Sequence, residues 1–364
     1  MNTVQVPGEA VAETPRRRSG EPERIRPTSF GVTDAAVLVA SAVSAGSLSW
    51  LVFFRLALFS GGFGFVVVWY ALFALTYWIV SRELTGAAAA RDRMAAVFIS
   101  TAAIALFVPL ISIVAFVTAR GIDGMSFEFF RETLEFTGSA DAGGGAFHAI
   151  VGTVEQIGIA ILLTTPLGLL TAVYLSEIRG RFRRPLRAVV DAMSGVPSIV
   201  AGLFVYSVWR LQLGHKASGL AGAIALTILM LPTVTRASEE MLRLVPGGLR
   251  EASLALGASE WRTVWRVVMP TARAGLVTSV LLGTARAIGE TAPLILTVDG
   301  RPSTNWNPMS GSQASLPLFV YQQYKLQTQP ALERAWAGAL LLLLMVLVLF
   351  SLARVLGARQ GARR

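Results

Sequence analysis

The sequence predicts an all-α, polytopic membrane protein, and three observations carry that reading. Hydrophobic residues fill 54% of the 364 positions and charged residues only 15%, with a mean hydropathy of +0.59. Stretches 56–81, 94–119 and 335–353 contain no Asp, Glu, Lys or Arg, and each is long enough to cross about 30 Å of hydrocarbon as a helix. None alternates with period two, so they read as helices and not as barrel strands. Arginines gather in every second loop, as in cytoplasmic loops of membrane proteins.

The net charge of +10 therefore belongs to the loops and implies no nucleic-acid surface. There is no cysteine, which excludes disulfides, thiolate metal sites and Cys nucleophiles. Two histidines, His148 and His215, are too few and too far apart for a metal motif, so no metal is expected.

The elements follow in order. Residues 1–30 are rich in Pro, Glu and Arg and read as a disordered cytoplasmic tail. They do not resemble a cleavable signal peptide, because the apolar run behind them is long enough to remain as a span. Eight spans follow, at 35–58, 62–81, 94–119, 149–175, 190–209, 219–235, 273–297 and 335–354. The first two form a hairpin within 31–90, turned by Ser60-Gly61-Gly62. Arginines cluster in the tail and after the second, fourth, sixth and eighth spans, whereas 121–148 carries Asp123, Glu128, Glu132, Glu135 and Asp141 against Arg131. An eight-span count thus puts every basic loop on one side and both termini in the cytoplasm. The other outer loop, 299–333, carries Trp306, Phe319, Tyr321 and Tyr324, which suit either an external partner or the membrane surface.

Within the cytoplasmic stretch 236–271 lies LREASLALGASEWRTVWRVVMP, residues 249–270. Leu254, Leu256, Trp261, Val264, Trp265 and Val268 recur at spacings of 3 and 4, an amphipathic helical pattern. Gly257 interrupts it and signals a turn. The segment is either an interfacial helix or a helix–turn–helix offered to a cytoplasmic partner. Its spacing resembles the signature loop of ABC-importer permeases: Glu251-Ala252-Ser253, then Gly257, then Val267-Val268-Met269-Pro270. The resemblance implies that this loop docks on an ATPase subunit, with Glu251, Ala252, Gly257 and Pro270 as coupling positions. The chain itself lacks a phosphate-binding G-x-x-x-x-G-K-[ST] loop, since Lys216 and Lys325 follow His215 and Tyr324. It is not expected to be an enzyme. ATP and Mg would belong to the partner.

GAFHAIVGTVEQIGIAILLTTPLGLLTAVYLSEI (145–178), MSGVPSIVAGLFVY (193–206), RAIGETAPLILT (286–297) and SQASLPLFVYQQY (312–324) together resemble the PstA-type permeases of bacterial phosphate importers. Ala292-Pro293 after Gly-Glu-Thr favours that type over the sister PstC type. The resemblance covers residue 93 to the C-terminus. It implies a six-span ABC-importer permease core over 91–364, with the hairpin as an addition in front. It also implies a PstC-type sister permease, two ATPase subunits and an extracytoplasmic phosphate-binding protein as partners, in the bacterial inner membrane.

Arg286 and Glu290 are ionisable residues inside the seventh span. At about 1.5 Å per residue, Arg286 lies roughly 20 Å into the layer, where charged groups face a bundle interior or a water-filled route. A guanidinium offers a planar fork of donors to a dehydrating oxyanion, and Glu290, four residues on, would hold it when no ion is present. Alternatively the two form a structural pair or bind other helices. Gly289 and Pro293 loosen the helix there. Thr291 joins the pathway set, with Ser198 beside the helix break at Pro197. Glu155 reads as a structural or gating group, and Asp191 as a partner of nearby arginines. The expected function is translocation of phosphate by an ATP-driven importer. The alternatives are another oxyanion, the PstC-type subunit, a secondary transporter, or a phosphate-signalling membrane subunit.

Overall fold

The computed structural model describes residues 31–55, 61–178 and 180–361. The tail expected over 1–30 lies outside them, as does Ser60 of the expected hairpin turn. The described residues are almost wholly helical. Among these residues, seven helices are long and apolar enough to cross a membrane, or eight if one bent pair counts as a span. The chain divides into two compact units between Pro109 and Leu110.

The first unit holds α1 (Val32–Trp50), α2 (Gly62–Thr85) and the first part of α3 (Ala87–Gly121). α1 buries Ser41, Ala45 and Ser49, and α2 buries Phe73, Tyr77 and Ser81. Both sets recur every four residues, so each lies on one helix face. Small side chains on α1 thus let the aromatic face of α2 approach closely. Trp69 donates its indole N–H to the Ala42 carbonyl at 3.1 Å. Arg93 pairs with Asp34 across the unit.

The second unit is built on α4 (Phe147–Glu177), α7 (Gly219–Arg243), α10 (Met269–Ile288) and α13 (Gln329–Gly361). α7 is central. A Cβ at Gly168 of α4 would sit 3.0 Å from Val234, and one at Gly283 of α10 only 2.5 Å from it. Two absent side chains therefore let α4 and α10 close on the same residue of α7. Ile157, Ala160, Leu226, Met230, Ala287, Ile288, Leu294, Val298 and Leu318 form the inner core. Burying each of the larger side chains among them contributes about 1.5–3 kcal/mol in water. In lipid the driving force shifts to close packing and small-residue contacts.

Two expected spans are broken. The fifth bends by 104° between α5 (Arg183–Ser194) and a segment running from Ser198 to Gln212, whose first part is α6 (Ser198–Tyr206). Pro197 disfavours a helical conformation at Val196, while α5, charged on one side, suits the interface. The seventh ends at Ile288, and a new helix, α11 (Ala292–Thr297), starts after Glu290 and Thr291. Pro293 sits in the first turn of α11, where its missing N–H removes no helix bond. The loop after α11 contains a further short helix, α12 (Leu316–Leu326), packed against α13.

Candidate functional site

The two helix breaks lie side by side. α6 packs on α11, and a Cβ at Gly202 would fall 2.5 Å from Cα of Pro293, so only glycine permits this approach. Ser198 is the first residue of α6, one turn before Gly202, and Pro197 accepts backbone bonds from Val200 and Ala201. Thr291 caps α11: its carbonyl accepts from the N–H groups of Leu294 and Ile295 at 3.1 Å each. Arg286 occupies the last turn of α10. Its side chain is exposed and reaches Thr233 Oγ1 of α7 at 3.4 Å.

The expected Arg286–Glu290 pair does not form. No ion pair joins these residues among the described ones. A spacing of four places two side chains on one face only while the helix continues, and here it stops at Ile288, with Gly289 as the closing residue. Pro293 likewise opens a new helix instead of loosening an unbroken one. α6 and α11 thus meet at Gly202 and Pro293, while among the described residues no hydrogen bond connects Arg286, the break at 289–291 and Ser198.

On the side of the basic loops, α8 (Gly247–Ala255) is followed by a turn and by α9 (Glu260–Thr263). The turn is a Schellman motif. Gly257 has φ +81°, Ala258 N–H donates to Ser253 O, and Gly257 N–H donates to Leu254 O. This conformation costs a side-chain-bearing residue roughly 1–2 kcal/mol. The Ser259 hydroxyl then caps α9 by accepting from Arg262 N–H. A π-helical stretch, Val264–Val268, leads into α10, with Pro270 in its first turn. Glu251 and Ala252 are exposed on α8.

The single amphipathic face expected over 254–268 is split. Val264 and Val268 are buried, while Leu254, Leu256, Trp261 and Trp265 face outward, Leu256 with 89% of its surface free. The turn at Gly257 and the π stretch each shift the helical phase, so a constant 3.6-residue spacing cannot hold through them.

Sequence reasoning missed several polar anchors. Arg250 donates Nε and Nη2 to the two carboxylate oxygens of Glu177, at 2.9 and 2.7 Å. It also donates to the carbonyls of Val245 and Leu242. At the opposite end, fully buried Gln156 donates to Gln313 Oε1 and Ala314 O, both at 3.0 Å. Gln313 donates in turn to Glu155 and to Asn305 O, so Glu155 holds the loop after α11. Arg334 donates to Gln323, to Asp141 O and to Gly143 O, ordering the acidic loop before α4. Phe319, expected among the displayed aromatics, is core, packed edge-on against Phe129 and His148. Asp191 does pair with Arg236, at 2.7 Å. The Asp191 pairing and a structural role for Glu155 were expected from the sequence, whereas the partners of Arg250, Gln156, Gln313 and Arg334 carried no signal of their own there.

No group of three or more metal-ligating side chains is present among the described residues. Residues 164–361 match the family described as "Binding-protein-dependent transport system inner membrane component". A "Phosphate transport system permease protein PstA 1" from Mycobacterium tuberculosis is 42% identical over 270 residues, covering 74% of this chain and 89% of that protein. A "Phosphate transport system permease protein PstA" from Pasteurella multocida is 41% identical, covering 65% and 83%. Among solved structures, an inward-facing MetNI methionine ABC transporter chain is 20% identical with a TM-score of 0.48, covering 59% of this chain and 94% of that one.

Proposed function

The chain belongs to the binding-protein-dependent transport system inner membrane component family, and from that premise we infer how it moves its ion. It is the PstA-type membrane subunit of a phosphate ABC importer, a multi-pass permease. It pairs with a PstC-type sister permease in the bacterial inner membrane, with both termini cytoplasmic. The permease part is residues 91–364, and the hairpin at 31–90 is an addition to it. Two ATPase subunits bind ATP and Mg and engage the chain at α8, through Glu251, Ala252 and the turn at Gly257. Their closure is passed through Pro270 into α10. An extracytoplasmic binding protein delivers phosphate.

The observation that carries the ion route is Arg286. It is a cation in the last turn of a spanning helix, exposed on the surface of the chain, and among the described residues its one hydrogen bond is a long one to Thr233. Facing lipid it would cost about 2.5–3.5 kcal/mol on insertion scales. A face shared with a sister subunit and a water-filled route removes that cost. Free of Glu290, the guanidinium has its donor fork available for a phosphate that has shed water. Glu290, Thr291 and Ser198 sit at the adjacent breaks at Gly289, Pro293 and Pro197, where interrupted helices leave backbone groups free to line a cavity.

The test is reconstitution of the complete complex in proteoliposomes. Phosphate uptake should require ATP and the binding protein, and should outrun sulfate uptake by at least tenfold. Uptake driven by an ion gradient without ATP, or a preference for sulfate, would overturn this reading.

A further inference from the structure

α8 is the segment offered to the ATPase, yet none of its residues is buried. Its apolar side chains Leu249 and Leu254 face outward, as does Leu256 just past its end, and it meets the body of the chain along the π stretch Val264–Val268. Its attachment rests on two polar links. One is Ser253, whose hydroxyl lies 2.8 Å from that of Thr263 at the end of α9. The other is Arg250, whose guanidinium makes four bonds at once. Glu177 is the last residue of α4, and its side chain is 9% exposed. Leu242 lies in the last turn of α7, and Val245 just beyond it.

Arg250 therefore grips the ends of two spans simultaneously. The carbonyls it meets are at a helix C-terminus, where acceptors lack helical partners and the dipole favours a cation. Its fork to Glu177 is bidentate, the stiffest geometry an ion pair offers. Directly beneath lies the cluster of Ala172, Val173, Leu242, Val245, Val264, Val268, Ala272 and Leu276, which joins α4, α7 and α10. Any displacement of α8 is thus delivered to α4 through one side chain, to α7 through that side chain and the short link 244–246, and to α10 through α9 and the π stretch.

We propose that Arg250, clamped between Glu177 and the Leu242 and Val245 carbonyls, is the positioning residue that transmits ATPase-driven displacement of α8 to spans α4 and α7. The inference rests on the importer reading above. It separates two things that a loss of function would otherwise merge: docking of the ATPase, carried by the exposed face of α8, and transmission, carried by its inner edge.

The experiment uses the complete reconstituted complex and reads phosphate imported per ATP hydrolysed. Arg250→Lys keeps the charge and loses the fork. Glu177→Gln keeps one acceptor and loses the charge. Both should copurify with normal amounts of ATPase subunit and retain hydrolysis within twofold, while phosphate imported per ATP falls at least fivefold. The double variant should fall little further than either single one, because both break the same link. Uptake by the unaltered complex tests the phosphate reading, and the change in ratio between unaltered and altered complexes tests the clamp. An unchanged ratio, or parallel loss of hydrolysis and uptake in both single variants, would overturn the proposal.

Discussion

Replacing Arg286 by alanine separates a transport role from a structural one, because the structure makes the two costs differ. Among the described residues the guanidinium holds one bond, to Thr233 at 3.4 Å, near the long limit of a hydrogen bond. Its loss costs at most about 0.5–1.5 kcal/mol of stability. Removing a cation from a span favours insertion, by up to about 2.5–3.5 kcal/mol at the helix centre, so the subunit should insert and assemble as well as before. A hydrogen bond from a charged group to phosphate contributes about 1.5–3 kcal/mol. At 1.4 kcal/mol per tenfold, uptake should fall on the order of 10- to 100-fold. Arg286→Lys keeps the charge without the planar fork, so its loss should be smaller than that of alanine. The assay is the initial rate of phosphate uptake into proteoliposomes, normalised to assembled complex. Uptake by Arg286→Ala within twofold of the unaltered chain would refute a direct role in the route.

Three further outcomes follow from local geometry. Gly202→Leu forces a side chain into the Pro293 backbone, an overpacking strain of about 1–3 kcal/mol. It should depress uptake at least tenfold with the subunit still in the membrane, and a normal rate would show that the two breaks can separate freely. Gly257→Ala strains the left-handed turn by about 1 kcal/mol and should weaken ATPase retention during purification, most visibly at high salt, whereas unaltered retention would mean α8 docks without that turn. Gln313→Ala leaves fully buried Gln156 short of a partner, which costs about 1–3 kcal/mol. Hydrogen exchange across 298–315 should speed up relative to α4, and equal protection would show that other contacts hold the loop.

Much of the fold was legible because lipid imposes a simple demand. A helix that crosses it must be long and nearly free of charge, and α2, α4, α7 and α13 announce themselves on that basis. The helix–turn–helix near Gly257 was also legible, since a glycine in a left-handed turn leaves a local mark. The broken spans were less so. Pro197 and Pro293 are visible in the sequence, but whether a proline kinks a helix or starts a new one depends on what the flanking residues bury. Here Ile288 and Leu294 both enter the inner core, which fixes the chain on either side of the break. That same break separates Glu290 from the face of Arg286, so the spacing of four misled.

By itself the sequence determined the class of molecule through its composition, and its resemblance to known permeases pointed to the family that the comparisons show. Only the tertiary structure decided who meets whom: Gly202 on Pro293, Gln156 on Gln313, Arg250 on Glu177. Each pair joins residues far apart along the chain. Such contacts depend on how helices pack, and α4 and α10 close on Val234 of α7 through glycines that carry no periodic signal of their own. Arg286 is the sharpest case: the sequence marked it as a cation within a span, and the packing left it exposed with a long bond to Thr233 in place of the expected pair with Glu290.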